Sequence, residues 1–274
     1  MSPQVIDSFE DPRLVPYRDI RHRDPVDRGR RFIAEGKLVV ERLLQSRLGC
    51  ESILVERGHH REIVAKACCG PRPPAILEAD LATLRRIVGY DFHRGILACG
   101  IHEPFLPLAQ LPHPAPGDRP LLVVCGVNNP ENIGGLMRTA AAFGVQRMAL
   151  TSDTAHPFSR RALRVSMGAA MEIEFYHFAP QATSVCWLHE ELGYRTLATM
   201  LSPAATELCK YQPDDRSEAV FVGSEAEGLS QEISLAVTDC VTIPMNPGVD
   251  SLNANVATAI FLYQLTRNKG SRGA

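Results

Sequence analysis

The sequence predicts an α/β protein of two unequal domains, the larger built on a mostly parallel sheet. From Arg30 onward, short apolar runs alternate with helical runs of about ten residues, the pattern of packed strand and helix layers. One proline-rich stretch, EPFLPLAQLPHPAPGDRP at 103–120, divides the chain. Beyond it, three apolar strands each run into a polar loop, and open α/β sheets bind ligands at the carboxyl ends of their strands.

Residues 1–12 read as a flexible tail. The first domain, 13–103, opens with RFIAEG as a strand. KLVVERLLQSR follows as a helix, with Leu38, Val39, Leu43 and Leu44 on one side. ESILVE, a helix near 61–68, AIL at 75–77, a helix over DLATLRRIV and GILACGI at 95–101 complete it. Prolines at 104, 107, 112, 114, 116 and 120 rule out a helix or a central strand, so 104–119 is expected to be a semi-rigid linker.

The second domain, 120–270, begins with LLVVCGV as a buried strand. A helix over 132–143 should stop at Gly144, a favourable residue just past a helix end. Strands follow at RMALT (147–151), MEIEFYHF (171–178), YRTLATM (194–200), AVFVGS (219–224) and CVTIP (240–244). A last helix carries Ala254, Ala257, Ile260, Phe261 and Leu265 on one face, with Ser251 as a natural cap and Asp250 at the positive end of the helix dipole.

Composition narrows the function. At 274 residues and 45% hydrophobic content the chain can bury a sizeable core. No apolar run approaches the roughly 20 residues of a spanning helix, and the polar start MSPQVIDSFEDPR lacks a signal-like core, so a cytoplasmic, non-membrane protein is expected. The eight cysteines contain no C-x-x-C and the nine histidines no H-x-x-x-H, which points to reduced structural thiols and no metal site. With 29 basic and 31 acidic residues, bulk charge gives no case for a nucleic acid. Local charge does: Arg13–Arg47 is a basic stretch in which Arg28, Arg30 and Arg31 are candidate RNA contacts, although a solvated surface would look the same.

The chemistry should sit in three loops. The first is Asn129-Pro130-Glu131-Asn132-Ile133-Gly134-Gly135, where Asn132 can cap the helix and Arg138 would lie along the loop edge. The second, Gly223 to Leu229, brings a backbone free of side chains and the Glu225 carboxylate to a strand end. The third supplies Ser251 and Asn253 at a helix start. Each also has a plain reading: a surface arginine with a carboxylate partner, a tight turn, a pair of caps. Neither G-x-G-x-x-G nor a Walker A motif is present, which disfavours dinucleotide binding and nucleotide hydrolysis.

Together the loops resemble the SpoU/TrmH class of the SPOUT superfamily of RNA methyltransferases. NPENIGGLMRTAAAFG is similar to the class's first motif at Asn132, Gly134 and Arg138. FVGSEAEGLS matches the second at Gly223, Glu225 and Gly228, and IPMNPGVDSLN the third at Ile243, Pro244, Met245, Ser251, Leu252 and Asn253. SRRALRVSMGA (159–169) is similar to a family stretch between them, and 30–101 resembles the L30e-like substrate-binding domain of many members. Ala226 stands where glycine is usual, Asn255 replaces a common serine, and Pro247-Gly248 shifts the third-motif glycine.

The resemblance implies a carboxyl-terminal α/β knot with a deep trefoil topology, a homodimer whose interface completes the site, and S-adenosyl-L-methionine as cofactor. Gly223, Ile243, Met245, Leu252 and Asn253 would hold the cofactor. It also implies methyl transfer to a ribose 2′-hydroxyl of RNA, with ribosomal RNA preferred over transfer RNA. Arg138 would do the proton work, either as a phosphate-assisted base or as a cation beside the developing alkoxide. Asn132, Glu225, Ser251 and Asn253 would position the groups around it. The alternative is a non-catalytic RNA-binding protein that keeps the fold.

Overall fold

The computed structural model describes residues 3–20, 22, 24, 26, 29–91, 95–202, 204–246, 248 and 251–267. The chain runs β1 (Gln4–Val5), β2 (Arg31–Glu35), α1 (Lys37–Gln45), β3 (Gly49–Glu56), α2 (Arg61–Cys68), β4 (Ala75–Ala79), α3 (Leu81–Val88) and β5 (Ile96–Ile101). It continues through β6 (Leu106–Pro107), β7 (Leu121–Val124), α4 (Pro130–Ala142), β8 (Arg147–Leu150), α5 (Arg160–Val165) and β9 (Glu174–His177). Then come α6 (Ala182–Glu190), β10 (Arg195–Thr199), β11 (Thr206–Glu207), β12 (Glu218–Val222), α7 (Gln231–Ala236), β13 (Asp239–Thr242) and α8 (Ala254–Thr266). The fold divides into two compact units, Met1–Pro104 with His156–Met171, and Phe105–Ala155 with Glu172–Ala274.

The first unit holds a mixed sheet in the order β1-β4-β3-β5-β2, with β5 antiparallel to both neighbours. Its core closes around Tyr17, whose hydroxyl donates to the Ser52 carbonyl at 2.9 Å and accepts from the Cys99 N–H at 3.1 Å. Against β2 lies the segment His156–Met171. Phe158 packs tilted against Phe32 with centroids 5.0 Å apart, α5 buries Ala162 and Leu163, and Arg42 donates to the Met167 carbonyl at 2.8 Å. His156 sits among these rings, 5.0 Å from His102, and burial pulls its pKa down to about 4. A depressed histidine contributes stability above its unfolded value and loses it as the pH falls. Thermal stability should therefore decline between about pH 6.5 and pH 4, and His156→Leu should flatten that limb of the melting curve against pH.

The second unit is an eight-stranded sheet in the order β11-β13-β10-β12-β7-β8-β9-β6, and every pairing in it is parallel. From β7 the chain moves outward through β8 and β9, then returns on the other side, so the order reverses between β7 and β12. Crevices form at such a reversal, beyond the carboxyl ends of the strands. Helix α4 starts cleanly because Asn129 caps it, accepting the Glu131 N–H at 2.9 Å, and Pro130 needs no N–H partner at its first position. It ends at Gly144, whose φ is +75°. Helix α8 packs on α4 at Gly135, where a Cβ would sit 2.8 Å from the Asn255 amide nitrogen, and the Thr139 hydroxyl donates to Asn255 at 2.7 Å.

Several expectations change. The expected tail over 1–12 is ordered where it is described: Gln4–Val5 pairs in parallel with β4, and Ile6 is buried. The proline-rich stretch is not a bare linker. Leu106–Pro107 forms the outermost strand, where a missing N–H costs nothing, and Leu111 is buried. The second domain is not contiguous from 120, because His156–Met171 packs into the first unit. None of the eight cysteines forms a disulfide. No helix among the described residues is long and apolar enough to cross a membrane.

Candidate active site

Because the strands are parallel, the loops after β7, β8, β10, β12 and β13 all emerge at one edge. Two cavities open there, one on each side of the loop that follows β12. The first, about 460 Å³, lies between the loops after β10, β12 and β13 and the start of α8. Gly223, Ile243, Met245 and Leu252 line it, as the cofactor assignment requires, and Glu225 and Ser251 stand at its rim. Thr199, Met200 and Leu201, which the sequence did not single out, complete the wall.

Gly223 is a steric necessity here. A Cβ on it would fall 2.2 Å from the Gly228 carbonyl carbon and 2.5 Å from the Leu229 nitrogen. The turn it abuts is closed by the Gly228 N–H donating to the Ser224 carbonyl at 2.9 Å, with Gly228 itself at φ +67°. Apolar walls from Ile243, Leu252 and Phe261, exposed backbone at Gly223, and the hydroxyls of Thr199 and Ser251 suit an adenosyl group with a polar tail. The residues present thus fit S-adenosylmethionine.

The side chains expected to position the reaction meet beside this cavity. The Asn132 amide donates to Glu225, and the Asn253 amide donates to the Asn132 side-chain oxygen at 3.3 Å. One chain of hydrogen bonds therefore links all three loops. Two caps differ from expectation. Asn132 lies inside α4 and Asn129 caps that helix, because the chain turns helical at Pro130. Asn253, not Ser251, caps α8, accepting the Asn255 N–H at 3.0 Å. Asn253 spends its side chain on that cap and on Asn132 and does not line the cofactor cavity, contrary to the cofactor contact expected of it. Pro247 and Asp250 lie outside the described residues.

Arg138 is exposed on α4 and lines neither cavity. Of the basic candidates in the first unit, Arg30 is exposed, while Arg31 is held by Glu51 in a two-pronged pair at 2.6 and 3.0 Å. Arg28 lies outside the described residues.

The second cavity, about 690 Å³, lies between the loops after β7, β8 and β12. Asn128, Asn129, Asn132, Asp153 and Glu225 face it. Cys125 lines it too, but burial pushes that thiol up to about 12, which removes it as a nucleophile near neutral pH. Sequence reasoning passed over Asp153; its place just beyond the carboxyl end of β8 was the available signal.

A parallel sheet reversing at a double cavity, with a glycine-walled pocket suited to an adenosyl group, fits a cofactor-dependent transferase. The chain belongs to the SpoU rRNA methylase family, whose model matches residues 119–263. It is 34% identical over 266 residues to an uncharacterized tRNA/rRNA methyltransferase of Mycobacterium tuberculosis, covering 94% of this chain and 90% of that protein. It is 27% identical over 197 residues to the 23S rRNA (guanosine-2′-O-)-methyltransferase RlmB of Acinetobacter baylyi, covering 71% of this chain and 79% of the relative. In fold it is similar to the AdoMet-bound rRNA methyltransferase of Sinorhizobium meliloti, with a TM-score of 0.82, 23% identity and coverage of 97% and 98% of the two chains. S-adenosylmethionine is the cofactor of this family, and the chain is an RNA methyltransferase by membership.

Proposed function

We propose that the protein methylates a ribose 2′-hydroxyl of ribosomal RNA in the cytoplasm. The observation that carries this reading is the Glu225–Asn132–Asn253 chain of hydrogen bonds, which ties the three loops together at the border of the cofactor-sized cavity. The RlmB relative, named for 2′-O-methylation of 23S rRNA, supports the choice of RNA and of reacting atom.

When bound, the cofactor supplies a methyl group on a sulfonium, already activated toward a nucleophile. Gly223, Ile243, Met245 and Leu252 hold it, and Asn253 acts through Asn132 instead of by touching it. The chain must align the 2′-oxygen and ease the loss of its proton as the new O–C bond forms. Glu225 orients the Asn132 amide, Ser251 stands at the cavity rim, and Arg138 stays cationic and stabilises the developing charge on oxygen.

Arg138 lines neither of the two cavities, and in this reading a second copy of the chain completes the site. Helix α8 supports that pairing: Val256, Ile260 and Tyr263 recur on one face and are 47%, 39% and 59% exposed. The trefoil threading of the segment through β13 and α8, and an L30e-like role in holding RNA for the first unit, belong to the same reading. Calorimetry with S-adenosylhomocysteine, followed by tritiated methyl transfer into ribosomal RNA, tests it. Binding without transfer to any RNA would sink it.

Arg28, Arg30 and Arg31 are proposed to bind RNA phosphates. Reversing the charge of Arg30 and Arg31 should weaken RNA binding and lower the slope of log affinity against log salt by about one for each phosphate no longer neutralised. Because Glu51 already holds Arg31, most of the change should follow Arg30. A titration series in salt reads this directly.

A further inference from the structure

We propose that Asn255 is a positioning residue for the transfer: seated on Gly135 and hydrogen-bonded to Thr139, it fixes α4 against α8 and with it the direction in which Arg138 leaves the helix. The inference rests on the role given to Arg138 above and extends it to the residues that aim it.

Asn132, Gly135 and Thr139 are spaced three and four apart, so they share one face of α4, and that face meets the start of α8. At its near end the Asn253 amide donates to the Asn132 side-chain oxygen at 3.3 Å. Two turns on, the Thr139 hydroxyl donates to Asn255 Oδ1 at 2.7 Å. Between the two, Gly135 makes room for the Asn255 side chain. A Cβ on Gly135 would lie 2.8 Å from the Asn255 amide nitrogen, 2.9 Å from Cγ and 3.4 Å from Cβ. Asn255 is itself fixed in the first turn of α8, where its N–H donates to the Asn253 side chain at 3.0 Å.

Beside this polar seam, Ile133, Leu136, Met137 and Ala140 of α4 are buried. Apolar burial holds the helix in place but is non-directional. A hydrogen bond has a preferred distance and angle, so the Thr139–Asn255 bond sets the rotation of α4 about its own axis. Arg138 directly precedes Thr139, and successive helical residues point about 100° apart. With Thr139 turned to α8, Arg138 is held on the exposed side. A rotation of about 10° would carry a side-chain tip at the helix's roughly 6 Å outer radius through about 1 Å. A misplacement of that size can lower a rate about 10²-fold. Serine, common at position 255 in the class that the third loop resembles, would end one bond short of the point where the Asn255 oxygen meets Thr139.

The test uses the full chain, RNA from cells lacking the gene, and tritiated S-adenosylmethionine. Asn255→Ala, Asn255→Ser and Thr139→Val should each lower kcat about 10–10²-fold, with KM for RNA and affinity for S-adenosylhomocysteine unchanged. Thr139→Ser keeps the hydroxyl and should retain the native rate. Gly135→Ala leaves both bonding groups in the chain but displaces the amide, and should show the same loss as Asn255→Ala. Thr139→Val with Asn255→Ala should cost no more than either change alone, because both remove one bond. In the Arg138→Ala background, Asn255→Ala should cost nothing further, since it acts through a side chain no longer there. A full further loss in that background, a matching loss of cofactor affinity, or a native kcat in the Asn255 and Thr139→Val variants overturns the proposal and leaves methyl transfer standing. A native kcat in Arg138→Ala overturns the role of Arg138 and this proposal together, and no label in any RNA overturns the methyl-transfer reading as well.

Discussion

Arg138→Ala should lower kcat for methyl transfer by about 10²–10³-fold, while S-adenosylhomocysteine should still bind with near-native affinity. The expectation follows from where the side chain lies. Arg138 is exposed on α4 and forms no part of the cavity wall, so removing it takes nothing from the cofactor. In the proposed role, what disappears is a positive charge beside an oxygen that becomes negative only as the reaction proceeds. An interaction made only in the transition state appears in kcat and in kcat/KM together. Arg138→Lys should recover only part of the rate, because an ammonium cannot present two parallel N–H groups. Single-turnover kinetics and calorimetry on the same preparations separate the two effects. If both rate and cofactor affinity fell in parallel, Arg138 would instead be holding the fold or the donor.

The parts of this molecule that were legible in its sequence are those with local punctuation. Helix α4 could be placed because Pro130 and Gly144 bracket it, and β12 and β7 because each is a continuous apolar run too short for a helix. The convergence of the three loops followed from the sense of the sheet alone, since parallel strands bring their carboxyl ends to one edge. Choices between equivalent groups were not legible. Asn129 and Asn132, or Ser251 and Asn253, are equally good caps on paper, and only the point where the backbone turns helical separates them. The two-residue strands β1 and β6 have no periodicity to read. Helix α5 buries Ala162 and Leu163 whichever sheet covers them, so its place in the first unit could not be inferred. The second cavity was hidden for a related reason: it depends on β8 lying beside β7, which brings Asp153 next to Gly126, a pairing far apart in sequence.

The two cavities also explain the makeup of the loop between them. Residues 224–228 form a wall of both, so their backbone must be thin and fixed. Gly223→Ala is therefore expected to be the most damaging single-methyl change in the second unit. The added Cβ would meet the Gly228 carbonyl carbon at 2.2 Å, its oxygen at 2.3 Å and the Leu229 nitrogen at 2.5 Å. All three are backbone atoms that cannot swing aside as a side-chain tip would. Relief requires moving the turn closed by the Gly228 N–H and the Ser224 carbonyl, which carries Glu225 and hence its bond with Asn132. Overpacking of this kind costs about 1–3 kcal/mol of stability. Because the displaced atoms line the cofactor cavity, affinity for S-adenosylhomocysteine should fall at least about tenfold, equivalent to about 1.4 kcal/mol. Gly228→Ala supplies the contrast. Nothing lies within 4 Å of a Cβ there, so only the left-handed φ of +67° is penalised. That variant should lose about 1–2 kcal/mol of stability and keep most of its cofactor affinity. Melting curves paired with calorimetry distinguish the two, and a Gly223→Ala protein that binds the cofactor as tightly as the native chain would mean that this loop is not the cavity's wall.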